Sequence, residues 1–186
     1  MADPAAVLET AREAMQRLVP DVPDFPEPGI VFKDITPLLA DADGFAAVVD
    51  ALATAGRDEA GETVVDVVVG MESRGFIVGA PVALALGTGF VPVRKAGKLP
   101  RETHAVTYDL EYGSATLEIH RDAVRPGQRV LLVDDVLATG GTAAATVELV
   151  RLCGGTTHAV AVLMELGFLD GRAALDGLPL TTLMTV

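Results

Sequence analysis

Hydrophobic positions along this chain follow two periods, and their order predicts the architecture. Val7, Leu8, Ala11, Met15 and Leu18 recur at helical spacing. Asp3-Pro4 supplies a carboxylate N-cap with proline in the first turn, and Pro20 closes the run. Phe45, Val48, Val49 and Leu52 predict a second helix ending near Gly56. Short apolar runs then alternate with helical ones. Val64 to Val69, Phe90 to Val93, Arg129 to Val133 and Ala159 to Met164 read as strands. Phe76 to Leu86 and Gly141 to Leu152 read as helices, the latter closed by Gly154-Gly155. Such alternation predicts an α/β fold with a parallel sheet flanked by helices.

Two stretches break the rhythm. Residues 20–29 contain Pro20, Pro23, Pro26 and Pro28 followed by Gly29, which predicts a stiff, extended strap. Residues 95–128 are polar and punctuated by glycine, with a hairpin expected around Tyr112-Gly113 and alternating apolar positions at Leu117 and Ile119. An excursion of this length inside a compact α/β domain is usually a lid or binding loop. The expected organisation is one domain over 1–186, with a small N-terminal subregion to about residue 35 and a flexible loop over about 95–120.

Composition narrows the function classes. A chain of 186 residues, half of them hydrophobic, can bury about 70% of its unfolded surface, so a packed core is expected rather than disorder. Acidic residues number 26 against 14 basic ones, a net charge of −12. That balance disfavours nucleic acid and membrane surfaces as partners. The single cysteine, Cys153, excludes an internal disulfide and fits a reducing compartment. Met1-Ala2-Asp3-Pro4 lacks the basic, then apolar, start of a signal peptide, so a cytoplasmic location is expected. Gly75 to Val93 carries no charge over 19 residues, long enough to span a bilayer. Gly79, Pro81, Gly87, Gly89 and Pro92 divide it, and a buried helix followed by a buried strand is the better reading.

The chemistry concentrates in Val130-Leu131-Leu132-Val133-Asp134-Asp135-Val136-Leu137-Ala138-Thr139-Gly140-Gly141-Thr142. A buried strand ends in two carboxylates, and a Thr-Gly-Gly-Thr turn opens the next helix. Ligands of open α/β sheets bind beyond the carboxyl ends of the strands. Glycines at a helix start let backbone N–H groups close around an anion, and the helix dipole favours it. The acidic pair suits sugar hydroxyls or a metal, so a phosphorylated sugar satisfies both ends. A strand ending Asp-Asp also fits a P-loop hydrolase, but none of Lys33, Lys95 and Lys98 precedes serine or threonine. Met71-Glu72-Ser73-Arg74-Gly75 misses the first glycine of a nucleophile elbow, which weakens a serine hydrolase reading. Gly87-Thr88-Gly89 lacks the third glycine of a dinucleotide fingerprint, and His104, His120 and His158 have no metal-ligand spacing.

The segment around Asp134 and Asp135 resembles the ribose-5-phosphate signature of type I phosphoribosyltransferases. Four flanking segments, in the same order as in that family, resemble its adenine branch. They are Phe25 to Ile35, Glu72 to Phe76, Arg94 to Pro100 and Tyr108 to Gly113, and the likeness runs from about residue 5 to the end. The resemblance implies a type I phosphoribosyltransferase fold with a small base-binding hood and a long flexible catalytic loop. It implies the reaction of adenine with 5-phosphoribosyl-1-diphosphate, giving AMP and diphosphate, with Mg²⁺ carried through the substrate diphosphate and water. A homodimer is implied as well.

The implied roles fall on matching positions. Asp134 and Asp135 would hold the ribose hydroxyls, and Ala138, Thr139, Gly140, Gly141 and Thr142 the 5-phosphate. Ser73, Arg74, Lys95 and Lys98 would meet the diphosphate, where negative charge builds as it departs. Val31, Phe32 and Lys33 would hold adenine, Phe32 against the flat base and Val31 through its backbone. The family often has arginine where Lys33 stands, so a planar two-pronged contact would be lost while the charge is kept. Catalytic roles would fall to Glu111, Tyr112 and Arg74, with Glu111 relaying a proton near N7 of adenine. Two rivals remain at this point: the same transfer to an oxopurine, and a regulator that keeps the sugar-phosphate site but binds nucleic acid.

Overall fold

The computed structural model describes residues 3–109 and 113–186. Helix α1 (Pro4–Leu18) begins where the Asp3 carboxylate accepts the N–H of Ala5 at 3.1 Å. The proline-rich strap is not merely extended. It folds into a small antiparallel hairpin, β1 (Asp21–Pro23) against β2 (Val31–Lys33), apart from the main sheet. Its bend is tied by Gly29 N–H to Asp24 Oδ1 at 2.7 Å and Phe25 N–H to the Ile30 carbonyl at 3.2 Å. Two helices follow, α2 (Thr36–Ala40) and α3 (Ala42–Ala53), separated by Asp41, whose carboxylate accepts Gly44 N–H at 2.8 Å.

The seven-stranded sheet has the order β5-β6-β4-β3-β7-β8-β9. Its parallel part comprises β3 (Val67–Met71), β4 (Gly89–Lys95), β7 (Arg129–Leu137), β8 (Thr156–Glu165) and β9 (Leu180–Thr185). The first strand starts later than its apolar run suggests. Val64 donates its N–H to the Gly56 carbonyl at 2.9 Å, so the start of that run closes the turn after α3. The uncharged stretch from Gly75 is α4 (Arg74–Leu86) followed by β4, as expected. Among the described residues no helix is long and apolar enough to cross a membrane.

The excursion between β4 and β7 is more regular than its polar composition implied. The hairpin expected there is present as β5 (Thr103–Asp109) and β6 (Ser114–His120), longer than anticipated, with Thr103 opposite His120 and Asp109 opposite Ser114. The sheet is therefore mixed, because β6 also joins β4 antiparallel through Arg94–Glu118 and Lys95–Leu117. Leu117 and Ile119 alternate inward as their spacing predicted.

Strand alternation divides the core between two faces. Val68, Leu131, Val133, Ala161 and Leu163 pack against α1, α3 and α4. Val67, Val69, Val130, Leu132, Val160 and Val162 face the other way, with Leu149 and Val150 of α5 (Gly141–Leu152). This sandwich brings the carboxyl ends of β3 and β7 side by side, each followed by a helix start. The approach of α4 to β7 depends on Gly75: a Cβ there would lie 2.8 Å from the Val133 carbonyl oxygen and 2.9 Å from Asp134 Oδ1. Gly75→Ala is expected to cost about 1–3 kcal/mol through this overpacking, measured by urea unfolding. An unchanged midpoint would show that the helix can shift without strain.

Candidate active site

At the carboxyl edge of the parallel strands lies a cavity of about 210 Å³. Its wall contains Glu72, Arg74, Asp134, Asp135 and the whole turn from Ala138 to Thr142. The sequence places these residues about 60 positions apart. Parallel pairing of β3 with β7, Gly70 opposite Val133, brings the two loops together.

Asp134 and Asp135 are almost fully buried, at 8% and 6% exposure. Adjacent residues on a regular strand point to opposite faces, yet in β7, which runs on to Leu137 rather than stopping at Val133 as its apolar run suggested, both Asp134 and Asp135 line the cavity. Arg74 forms an ion pair with Asp135 through its Nε. Asp134 Oδ1 accepts the N–H of Asp135 at 2.9 Å. Burial, and then the neighbouring Asp135 charge, push the Asp134 carboxyl well above the usual aspartate range. The pair thus favours a single negative charge near Arg74, with one carboxyl able to donate as well as accept hydrogen bonds.

The turn that follows has a shape only glycine permits. Gly140 has φ +83°, and a Cβ on it would sit 2.5 Å from the carbonyl oxygen of Gly171. Gly171 is equally confined, because its own Cβ would meet the Ala138 carbonyl oxygen at 2.2 Å. The short 3-10 segment Gly171–Leu175 therefore backs the turn directly. Arg172 holds that segment through its Nε, 2.7 Å from the buried Glu165 carboxylate at the end of β8. α5 begins at Gly141, so the first N–H groups of the helix, which lack acceptors within it, open onto the cavity.

Glu72 has no role assigned by the sequence pattern, yet it organises the second loop. Its carboxylate accepts the backbone N–H of Lys95 at 2.6 Å and the Arg94 Nε at 3.1 Å. Burial alone would raise its carboxyl, but these partners outweigh it and hold the group below its ordinary value. Arg94 in turn lies 5.7 Å from the centre of the Phe76 ring. A signal was present: a lone carboxylate at the end of β3, with a basic pair at the end of its parallel neighbour. Pairing of the strands was needed to join them.

The other expected site residues fall outside the cavity wall. Ser73 precedes α4, and the peptide bond between Glu72 and Ser73 is cis. Lys95 ends β4, and Lys98 lies in the turn beyond it, donating its N–H to the Lys95 carbonyl at 3.3 Å. Val31, Phe32 and Lys33 lie on β2 of the small hairpin. There Val31 is exposed, and Phe32 meets Phe25 edge to face with ring centres 5.2 Å apart. Lys33 forms an ion pair with Asp21 across the hairpin. Glu111 and Tyr112 lie outside the described residues.

The family model described as phosphoribosyl transferase domain matches residues 39–174. An adenine phosphoribosyltransferase of Nocardioides sp. is 73% identical over 91% of this chain and 91% of its own length. The crystal structure of adenine phosphoribosyltransferase from Thermoanaerobacter pseudethanolicus superposes with a TM-score of 0.86 at 50% identity, covering 94% of this chain and 99% of that one. The Saccharomyces cerevisiae enzyme, crystallised with an imino-altritol bisphosphate and adenine, gives a TM-score of 0.88 at 42% identity, again over 94% and 99%. Matched by that family model over most of its length, and by these relatives over nine-tenths of both chains, this protein belongs to the adenine phosphoribosyltransferases of the type I phosphoribosyltransferase family.

Proposed function

We propose that the cavity binds 5-phosphoribosyl-1-diphosphate and that the chain transfers its phosphoribosyl group to adenine, giving AMP and diphosphate. One observation carries the reading: a buried carboxylate pair, an arginine and a glycine turn at a helix start share a single cavity. The relatives' names and the adenine bound to the yeast enzyme support adenine as the acceptor. Purine salvage is the process this reaction serves.

In this reading the turn from Ala138 to Thr142 holds the 5-phosphate, with N–H groups and the Thr139 and Thr142 hydroxyls as donors. Asp134 and Asp135 hold the ribose hydroxyls. Their buried charge also faces the positive charge that develops at the anomeric carbon as the diphosphate leaves. Arg74 sits between that carboxylate pair and the Ser73 loop, where the departing diphosphate gathers charge. Lys95 and Lys98 reach the same anion from the end of β4, and Glu72 sets the direction of that segment. Adenine is held by Val31, Phe32 and Lys33 on the small hairpin, with Glu111 and Tyr112 supplied by the excursion. Glu111 takes the proton role near N7.

The residues present fit a Mg²⁺ carried by the substrate. Among the described residues no three acidic, histidine or cysteine side chains gather into a protein cage. Asp135 is already paired with Arg74, so hard oxygen ligands would come mainly from diphosphate and water. Bound there, the ion would neutralise charge on the leaving diphosphate.

A homodimer is the proposed assembly. Ile77 and Leu84 lie seven positions apart on one face of α4 and are 48% and 80% exposed, an apolar surface that a second copy can cover. A cytoplasmic location is part of the same proposal, supported by a chain whose single cysteine, Cys153, can form no internal disulfide.

AMP formation from adenine, 5-phosphoribosyl-1-diphosphate and Mg²⁺ tests the assignment, and faster turnover of hypoxanthine would overturn it. Glu111→Gln is expected to lower kcat about 10²-fold or more, with KM changing less. A native kcat would remove the proton role. Asp134 makes a different prediction. Its raised carboxyl favours the protonated form in the folded state, so the stability it confers is whole below 3.8 and is lost as pH rises through the folded value. Asp134→Asn is therefore expected to melt increasingly above the native chain as pH rises from 3.8 toward neutrality, while losing ribose binding. A melting difference independent of pH would contradict the assigned protonation.

A further inference from the structure

Tyr108 stands near the end of β5, on the arm outside the parallel sheet. It pairs with Ala115 across the hairpin and packs, half-buried, against the core face shared with α5. Its hydroxyl lies 2.8 Å from Thr142 Oγ1, where either atom can donate. Thr142 is the last residue of the glycine turn and the second of α5, and it lines the cavity. This contact spans 34 positions of sequence and joins the excursion to the turn side chain to side chain.

The chemistry of the two hydroxyls decides what the contact does. A threonine hydroxyl has one hydrogen to give and two lone pairs. If it donates to an anion in the turn, it can only accept from Tyr108. The phenol, the more acidic group, is suited to donate. A chain then runs from Tyr108 to Thr142 to the anion, each bond polarising the next in the same sense. With Tyr108 in place the Thr142 hydrogen is steered toward the cavity. Without it the rotor is free.

We propose that Tyr108 is a positioning residue for the sugar 5-phosphate: it orients the Thr142 hydroxyl toward the anion and couples seating of the β5–β6 hairpin to occupancy of the turn. The proposal rests on the reading of residues 138–142 as the 5-phosphate site.

The test uses the full chain and ribose 5-phosphate as probe, with calorimetry for affinity and thermal melting for integrity. Tyr108→Phe removes only the hydroxyl and is expected to weaken ribose 5-phosphate about five- to tenfold, the effect of one lost hydrogen bond. In turnover it raises KM for 5-phosphoribosyl-1-diphosphate and leaves KM for adenine unchanged. Thr142→Val weakens the probe at least as much, and Thr142→Ser, which keeps the hydroxyl, restores most of the affinity. The combination Tyr108→Phe with Thr142→Val is no weaker than Thr142→Val alone, because the tyrosine acts through that hydroxyl. Ribose 5-phosphate also slows amide exchange over Thr103–Asp109 in the native chain more than in Tyr108→Phe. Unchanged affinity in Tyr108→Phe, or losses that multiply in the double variant, would overturn the proposal while leaving the turn's assignment intact. No binding of the probe by the native chain would overturn that assignment and the proposal with it.

Discussion

Everything at the ligand edge of this sheet follows from burying two adjacent carboxylates near the end of one central strand, two and three residues before β7 closes at Leu137. Two such charges in a poorly solvated place repel each other, and their cost falls only if a cation is near or one of them keeps its proton. The structure does both. Arg74 pairs with Asp135, and Asp134 is pushed toward its neutral form. To deliver Arg74 to that spot, α4 must start almost in contact with β7, and Gly75 is the residue that lets it. The pairing of β3 with β7 therefore serves packing and charge together.

The second half of the site obeys a different constraint, that of shape. A turn that gathers N–H groups toward one point bends the backbone into conformations that side chains oppose. Gly140 meets that demand from within the turn. Glu72 performs the corresponding service on the β3 side, holding the basic end of β4 by a backbone N–H and a guanidinium. The catalytic edge is thus built from strand ends aligned by register, with loops shaped by a few close contacts.

Much of this was legible in the chain. Helix α1, with Asp3 and Pro4 at its start, and the alternation of strands from β3 to β8 followed from local pattern. The Asp134–Thr142 segment announces both a carboxylate pair and an anion turn through residue types and spacing alone. What was not legible depended on partners distant in sequence. The strand β9, Leu180 to Thr185, sets Thr181 beside Thr182 and Leu183 beside Met184, so it lacks a period-two alternation and stands out only beside β8. The strap reads as proline-stiffened coil, yet Val22 and Phe32 find each other as a strand pair. In residues 95–128 the hairpin was legible from Tyr112-Gly113 and the alternation of Leu117 and Ile119, whereas the docking of β6 on β4 was not. Glu72 and Tyr108 begin recognisable segments but carry no role in the local pattern, because their significance lies in contacts with residues 23 and 34 positions away.

The close approach of Gly140 and Gly171 bears on how far such a site can travel as a module. The signature from Val130 to Thr142 looks like a self-contained cassette, a strand, a turn and a helix start. Its floor is nevertheless supplied by another part of the chain, with two backbones so near that neither tolerates a methyl group. That floor is anchored in turn by Glu165 and Arg172. Grafting the cassette onto another parallel sheet would transplant the donors without the surface that sets their curvature. The smallest transferable unit of this binding site is a pair of segments.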